Sequence, residues 1–199
     1  TRQTELTNFY QSISKTPLLI GIDGEWGVAM RFPESAINFP KQLTLGAITD
    51  NGLIEEMGKE IALQCKKMGI HVNFAPVVDV NNNPINPVIN YRSFGEDIYN
   101  VSNKALVYMK ALQNNGVMAC AKHFPGHGDT DVDSHNDLPV INHDLSRLHA
   151  IELFPFKALI NEGIGSIMVA HLHLPVLDNR ENRSTTLSYK TVTDLLKNE

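Results

Sequence analysis

The stretch GVMACAKHFP, residues 116 to 125, is a short apolar run that begins at a glycine and stops at a proline. Near-continuous apolar runs of this length are typical of strands that are buried on both faces, as in a parallel sheet. Three further runs share this character: TPLLIGID at 16 to 23, IHVNFAPVVDV at 70 to 80 and GIGSIMVAHLHLP at 163 to 175. The sequence therefore predicts four buried strands.

Longer amphipathic stretches separate these runs and predict helices at roughly 2 to 14, 50 to 68, 97 to 115 and 143 to 162. A regular alternation of strand and helix indicates a parallel sheet with crossover helices. The predicted fold class is therefore α/β. No internal repeat or linker divides the chain, so residues 1–199 are expected to form one unit.

Helical spacing also predicts which side chains face the core. The second helix has apolar residues at every fourth position, which are Leu53, Met57, Ile61 and Cys65. For the last helix, either Asn142 or Asp144 is expected to be the N-cap residue. Its predicted inner side carries Leu145, Leu148 and Leu153.

The composition argues against several classes of partner. A hydrophobic content of 42% over 199 residues is enough for a real core. The net charge of -5 is spread along the chain without a basic patch, which predicts no binding to nucleic acid or to an anionic membrane. No run is long enough to span a bilayer. Cys65 and Cys120 lack metal-ligand spacing and are interpreted as small core residues.

The stretch KHFPGHGDTDVDSH, residues 122 to 135, concentrates titratable groups. It holds three histidines and three aspartates in fourteen residues. Pro125, Gly126 and Gly128 interrupt any helical period, and no apolar residue recurs to form a buried face. The segment is therefore predicted to be a loop of groups that titrate or bind.

Polar residues close each of the four predicted strands. They are Asp23, Asp79, Lys122 with His123, and His171 with His173. Ligands of parallel α/β proteins bind at the carboxyl ends of the strands, where several loops converge. The alternative is that each residue only solvates a strand end, but agreement among four ends favours one shared site.

Five segments carry a resemblance to a known family: GIDGEWGVAMRFP, NFAPVVDV, NYRSFGED, KHFPGHGDTDVDSHNDLP and IMVAHLHLP. From about residue 16 to the C-terminus, the chain closely resembles the glycoside hydrolase family 3 β-N-acetylglucosaminidases, which trim bacterial cell-wall sugars. The resemblance implies a (β/α)8 TIM-type barrel and a retaining mechanism with a glycosyl-enzyme intermediate. It also implies that neither a metal nor an organic cofactor takes part.

The same resemblance implies an unusual acid/base group. His135 is expected to be the general acid/base and Asp133 its partner, two residues earlier in the chain. An imidazole has an ordinary pKa near 6.5, so it exchanges a proton near neutral pH without the burial that a carboxylic acid needs. Gly126 and Gly128 are expected to let the loop close over a sugar.

The residues expected to bind sugar hydroxyls, again by resemblance, are Asp23, Arg31, Arg92, Lys122 and His123. Adjacent residues of a regular strand point to opposite faces, so Lys122 and His123 reach one ligand only if the strand ends there. A salt bridge with Glu96 or Asp97 is the structural alternative for Arg92. His143 and His149 are interpreted as residues on the solvent side of a helix.

The chain departs from the family pattern in two places. Many relatives carry Gln-Glu-Gly-Gly where this chain has Gly24-Glu25-Trp26-Gly27, and Trp26 is interpreted as a packing residue rather than a sugar platform. The family's nucleophile is an aspartate on a later strand, and Asp194 does not match it. A barrel typically needs about 250 residues. Residues 1–199 are therefore interpreted as a partial N-terminal barrel domain holding about strands two to five, completed by the remainder of the polypeptide or by a second chain.

Other functions stay open at this stage. A zinc hydrolase could use His123, His127, His135 and Asp129 as ligands, although Pro125 and the glycines remove the helix that such spacing needs. A sugar-binding module without turnover is a third interpretation. The resemblance further implies a bacterial protein, with the periplasm or cell envelope favoured and the cytoplasm as the alternative.

Overall fold

The computed structural model describes residues 2–133 and 137–198. Its four strands are β1 (Gly21–Ile22), β2 (Val72–Asn73), β3 (Met118–Phe124) and β4 (Ser166–Val169). All neighbouring strands pair in parallel, in the order β1-β2-β3-β4. The strands are short, but each lies inside a predicted run. The α/β class and the parallel sheet are therefore confirmed, and the sheet is open, as in a partial barrel.

Six α-helices accompany these strands in the described part of the chain: α1 (Arg2–Ile13), α2 (Gln42–Gly46), α3 (Asn51–Lys67), α4 (Ile98–Asn114), α5 (Leu145–Ala150) and α6 (Phe154–Asn161). The predicted helix at 143 to 162 is two helices, and α2 was not predicted. Short helical turns occur at Val28–Met30, Asn90–Arg92, Thr185–Leu187 and Lys190–Leu195. The strands thus alternate with crossover helices.

The predicted inner faces need small corrections. Met57, Ile61 and Cys65 are buried as expected, but Leu53 is 54% exposed and its neighbour Ile54 is buried instead. The prediction was wrong there because a strict four-residue period drifts around a helix that has 3.6 residues per turn. Leu145 is exposed for a different reason, since it occupies the first turn of α5 beside the N-cap.

The N-cap of α5 is Asp144 rather than Asn142. The side chain of Asp144 accepts a hydrogen bond from the backbone N–H of Arg147, and this satisfies one of the free donors at the helix start. Leu148 and Leu153 are buried, as expected. The predicted inner side is therefore right for these two leucines.

The core lies between the sheet and the helices, where α3, α4 and α6 pack together. Phe124 at the end of β3 meets Phe156 of α6 edge-on, with 5.3 Å between ring centroids. Both cysteines are free and buried, which confirms their assignment as core residues. Burial raises the pKa of the Cys65 thiol to about 11, so it stays protonated.

An irregularity in β3 brings two adjacent side chains to the same cavity. Lys122 pairs with Met168 and Phe124 pairs with Val169, so His123 between them has no partner in β4. An extra residue of this kind is a β-bulge, which re-aims side chains at the end of a strand. The strand was expected to end at Lys122 and His123, but it continues to Phe124. Both residues line one cavity at this irregularity rather than at a strand end.

Candidate sugar-binding site

A cavity of about 350 Å³ opens at the carboxyl ends of the strands. All five residues predicted to bind substrate line it: Asp23, Arg31, Arg92, Lys122 and His123. The remaining lining residues are Glu25, Met30, Val88, His127 and the segment 168–171 that ends β4. Strand ends that lie far apart in sequence therefore meet at one place, as the polar residues at the strand ends predicted.

Lys122 lines this cavity and is almost entirely buried. Its Nζ lies 2.9 Å from Asp23 Oδ1 and 2.9 Å from Glu25 Oε1. An ammonium group loses its hydration on burial, so it needs partners of opposite charge nearby. Two carboxylates from the loop after β1 supply them. The pair fixes the position of the ammonium group at the cavity wall.

Arg92 also pairs with Glu25 rather than with Glu96 or Asp97. Its Nη2 lies 2.7 Å from Glu25 Oε1, and its Nε donates to Glu25 Oε2 at 3.0 Å. Burial alone would raise the pKa of Glu25, but the hydrogen bonds from Arg92 and the charge of Lys122 hold that pKa below its usual range. Glu25 is therefore ionised and orients both cations.

Asp79 holds the other side of the site and has no exposed surface. Its Oδ2 lies 2.7 Å from His123 Nδ1, and its Oδ1 accepts from the backbone N–H of His127 at 2.7 Å. Burial acts to raise the pKa of Asp79, but its interactions with His123 and His127 outweigh burial, and the pKa is lowered. The carboxylate thus anchors the first turn of the loop.

Arg92 decides the tautomer of His123. Arg92 Nη2 lies 3.2 Å from His123 Nε2, and a guanidinium can only donate. Nε2 is therefore the acceptor, and Nδ1 carries the hydrogen that it donates to Asp79. A chain of hydrogen bonds therefore runs from Asp79 through His123 and Arg92 to Glu25.

The rim of the cavity is more exposed. Arg31 Nη2 lies 3.4 Å from Asp23 Oδ2, and both side chains remain substantially accessible to solvent. The site contains three carboxylates: Asp23 and Glu25 line the cavity, and Asp79 lies behind them. It also contains three cations, which are Arg31, Arg92 and Lys122. The site therefore has many polar groups but no net charge.

The acid/base prediction falls partly outside the described residues. His135 lies in the segment 134–136, which the structure does not describe, so its role stays a prediction. Asp133 is the last described residue before that segment, and its role as partner also stays a prediction.

The two glycines of the loop have a clear steric reason. A Cβ on Gly128 would lie 1.8 Å from the carbonyl oxygen of Val80. Gly126 has φ +134°, and a Cβ there would lie 2.8 Å from Glu152 Cβ. The glycines were expected to give the loop freedom to close. The structure shows that they allow the chain to pass close to its neighbours.

The predicted zinc ligands are not brought together among the described residues. His123 Nδ1 is bonded to Asp79, and His127 Nδ1 lies 2.7 Å from Thr130 Oγ1. Asp129 Oδ2 instead lies 2.5 Å from His143 Nε2. Within residues 2–133 and 137–198, the group with metal-ligand spacing is Asp129, His143 and Glu152, which is a different set. The absence of a cofactor stays a prediction.

Three other sequence interpretations can now be compared with the structure. His143 was placed on the solvent side of a helix, but it precedes α5 and bonds to Asp129. Trp26 is not among the residues that line the cavity, and Lys41 Nζ lies 5.3 Å from its ring centroid. Of the two histidines after β4, His171 lines the cavity, whereas His173 Nδ1 bonds to the carbonyl of Arg183.

Sequence reasoning missed Glu25 as a site residue, although it named the Gly24–Gly27 segment as a departure. The available signal was its position two residues after Asp23 in a loop that follows a strand. It also treated His127 only as a possible zinc ligand. The lining by Met168, Val169 and Ala170 could not be foreseen, because it depends on where β4 ends.

The chain is therefore a parallel α/β protein. It has a ligand cavity with balanced charges at the carboxyl ends of its strands. A model of the Glycosyl hydrolase family 3 N terminal domain matches residues 2–199. The chain belongs to this family, which confirms the resemblance noted from the sequence.

Comparison with individual proteins agrees with this assignment. The chain is 42% identical over 207 aligned residues to beta-hexosaminidase A from Pseudoalteromonas piscicida, with 95% of this chain and 34% of the relative covered. It also superimposes on a glycoside hydrolase family 3 beta-N-acetylglucosaminidase from Paenibacillus sp. str. FPU-7, with TM-score 0.91 and 38% identity over 96% of this chain and 37% of the other.

A third relative was solved with a sugar analogue. NagZ from Neisseria gonorrhoeae, in complex with N-trifluoroacetyl-D-glucosamine, matches with TM-score 0.90 and 31% identity over 98% of this chain and 58% of that protein. The chain therefore spans between about a third and three fifths of the length of these relatives.

Proposed function

We propose that this chain provides the substrate recognition and acid/base machinery of a retaining glycoside hydrolase that releases terminal β-N-acetylglucosamine. One observation carries the proposal: Asp23, Arg31, Arg92, Lys122 and His123 all line one cavity at the carboxyl ends of the strands. The names of its relatives, beta-hexosaminidase and beta-N-acetylglucosaminidase, support the same substrate class.

The electrostatics of the cavity favour a neutral sugar over a charged ligand. Every cation of the site has a carboxylate within 3.4 Å, so no uncompensated charge is left to attract an anion. Paired charges still offer strong hydrogen bonds, since bonds to ionised groups exceed those between neutral groups. A hexosamine with several hydroxyls suits such a site because each hydroxyl both donates and accepts.

The proposed chemistry divides between this chain and the remainder of the barrel. His135 protonates the leaving oxygen and later deprotonates water, with Asp133 orienting its ring. Retention requires a nucleophile that forms the glycosyl-enzyme bond. We assign that role to an aspartate outside residues 1–199, in the remainder of the same polypeptide or in a second chain that completes the barrel.

The names and sources of the relatives support a substrate class and a bacterial origin. Beta-hexosaminidases of Pseudoalteromonas and Neisseria match the chain, so we place it in a bacterium and propose glycosides derived from peptidoglycan as substrates. The periplasm or cell envelope is the proposed compartment, with the cytoplasm as the alternative. Among the described residues, no helix is both long and apolar enough to cross a membrane.

The test is hydrolysis of 4-nitrophenyl N-acetyl-β-glucosaminide by the polypeptide with a completed barrel. We expect the β-anomer of N-acetylglucosamine as first product in proton NMR. The α-anomer would show inversion and contradict the mechanism. Sugar binding with no hydrolysis would support a binding module instead. Loss of activity with a chelator, restored by zinc, would favour the metal-dependent alternative.

A further inference from the structure

His127 is held in a fixed orientation in the wall of the cavity. Its backbone N–H donates to Asp79 Oδ1 at 2.7 Å, and its Nδ1 lies 2.7 Å from Thr130 Oγ1. The ring stands edge-on to that of His123, with 6.0 Å between centroids. The side chain is therefore immobilised at one end.

The other ring nitrogen of His127 has no partner. His127 is 2% exposed, and within the described part of the chain its Nε2 is buried without a hydrogen bond, although the residue lines the cavity. A buried polar atom without a partner is costly, by about 1 to 3 kcal/mol. An orphaned nitrogen in the wall of a polar cavity therefore points to a ligand that completes it.

The contacts of Thr130 determine which of the two ring nitrogens of His127 carries the hydrogen. Thr130 Oγ1 receives a hydrogen bond from Asn86 Nδ2 at 3.3 Å and lies 3.1 Å from the His127 carbonyl, to which it can only donate. The hydroxyl has one hydrogen. It makes all three of its contacts only if it accepts from His127 Nδ1. Nδ1 then carries the hydrogen, and Nε2 is left with a free lone pair.

The ring of His127 is neutral near physiological pH, which suits an acceptor. Burial lowers the pKa of His127, and the nearby Arg92 adds to this effect, against the opposing influence of Asp79. Lys122, Arg92 and Arg31 can only donate, and the carboxylate of Glu25 is already engaged by Arg92 and Lys122, so a ligand needs an acceptor besides Asp23. Nε2 supplies one on the side of the loop.

We propose that His127 Nε2 accepts a hydrogen bond from a hydroxyl or the amide N–H of the bound hexosamine, which makes His127 a further substrate-binding residue. This inference rests on the proposed function. Sugar hydroxyls present hydrogens as well as lone pairs, so a site needs acceptors beside its cations. Together with Asp23, His127 supplies them.

Matched variants test the proposal in the completed barrel. His127→Asn keeps a polar atom near Nδ1 for Thr130 but removes Nε2, whereas His127→Gln reaches the Nε2 position. We expect His127→Asn to weaken binding of N-acetylglucosamine about tenfold and His127→Gln to recover part of that loss. Thr130→Val, which frees the ring without touching the ligand, should weaken binding about threefold. Thermal unfolding checks that each variant is folded.

Nitrogen NMR provides a readout that a purely structural role would not change. In the free protein, the ¹⁵N shifts of His127 should show a protonated Nδ1 and a bare Nε2, and added sugar should move the Nε2 signal. The matched glucoside, which lacks the amide, distinguishes the two possible donors to Nε2. If His127→Asn weakens binding of the N-acetylglucosaminide only, the donor is the amide N–H. If it weakens binding of both sugars, the donor is a hydroxyl.

Two results would overturn the proposal separately. If the protein binds no N-acetylglucosamine, the proposed function fails and this inference fails with it. If the sugar binds but His127→Asn binds it as tightly as the unchanged protein, or Nε2 does not respond, only the inference about His127 fails.

Discussion

Arg92 and Glu25 form a two-pronged ion pair across 67 residues of sequence, with Nη2–Oε1 and Nε–Oε2 distances of 2.7 and 3.0 Å. Planar guanidinium and carboxylate groups match in this geometry, which adds orientation as well as energy. Glu25 Oε1 also lies 2.9 Å from Lys122 Nζ. One buried carboxylate therefore fixes two of the residues proposed to bind sugar.

Glu25→Gln should destabilise the protein by about 3 kcal/mol, because it leaves two buried cations with less compensation. The folded pKa of Glu25 is lowered. Its contribution is therefore complete above the unfolded pKa of about 4.3 and is lost as the pH falls through the folded pKa. Urea unfolding between pH 7 and pH 3 measures both effects. A variant as stable as the parent at pH 7 would contradict this role.

Asp79→Asn should cost about 3 kcal/mol of unfolding free energy, even though it changes only one atom. Both oxygens of Asp79 accept hydrogen bonds, including those from His123 Nδ1 and the His127 N–H. The side-chain amide of this variant would point its N–H groups at His123 Nδ1 or at the His127 N–H, both of which are donors. If His123 changed tautomer to accept, its Nε2–H would face Arg92 instead. No arrangement satisfies all of these groups.

The pH dependence of Asp79 distinguishes this explanation from simple loss of packing. The pKa of Asp79 is lowered in the folded state, so its stabilisation is present above the unfolded pKa and disappears as the pH falls through the folded value. In Asp79→Asn, the fall in stability on acidification should be shallower. A parallel pH profile for parent and variant would show that the charge of Asp79 is unimportant.

Gly128→Ala should reduce stability by about 3 kcal/mol or prevent folding, since its Cβ would lie 1.8 Å from the Val80 carbonyl oxygen. Backbone atoms at the base of the loop cannot move aside as a side chain can. Gly163→Ala is the matched control: Gly163 has φ +83° but no atom within 4 Å of an added Cβ. It should lose only about 1 kcal/mol. Equal losses would refute the steric explanation.

Local periodicity explains why the fold could be predicted from the sequence. Apolar runs bounded by Gly or Pro placed all four strands, and the 3.6-residue period placed α3 and α4 within a residue or two. The predicted inner face of α3 was wrong at its start, where Leu53 is exposed and Ile54 is buried. A strict four-residue period does not match the 3.6 residues of a helical turn, so the predicted face drifts along the helix.

The pairing inside the site could not be predicted in the same way. Strand-end polarity gave the location, but the partner of Arg92 is Glu25, far away in sequence, and not the adjacent Glu96 or Asp97. The bulge at His123 and the bond between Asp129 and His143 likewise depend on tertiary register. Contacts between distant loops leave no periodic signal in one sequence.

His135→Ala in the completed barrel should slow both glycosylation and deglycosylation if His135 is the acid/base. Substrates with good leaving groups need little protonation and should lose less in the first step, by at least tenfold relative to poor leaving groups. Asp133→Ala should cost less than loss of the ring. His149→Ala, outside the site, is the control. Equal losses across leaving groups would remove His135 from this role.

The last prediction concerns the surfaces that the proposed remainder of the barrel would cover. Helix α1 presents one apolar stripe to solvent at helical spacing, formed by Leu6, Phe9, Tyr10 and Ile13, which are 37 to 63% exposed. In the described sheet, β1 and β4 are the edge strands. Exposed apolar stripes and open strand edges favour association. The 199-residue chain alone should therefore aggregate or pair, and it should not hydrolyse aryl N-acetyl-β-glucosaminides.

Paired substitutions test this explanation directly. Phe9→Ser with Ile13→Ser should reduce aggregation of the isolated chain, measured by light scattering. If the remainder of the barrel covers these side chains, as we propose, the same change should destabilise the completed barrel by about 3 kcal/mol. Leu53→Ser, on the outer face of α3 and 54% exposed, should have little effect in either form. A monomeric 199-residue protein that hydrolyses the substrate at about 1 s⁻¹ or faster would show that the nucleophile lies within this chain, because the glycosyl-enzyme bond would then form without any added segment.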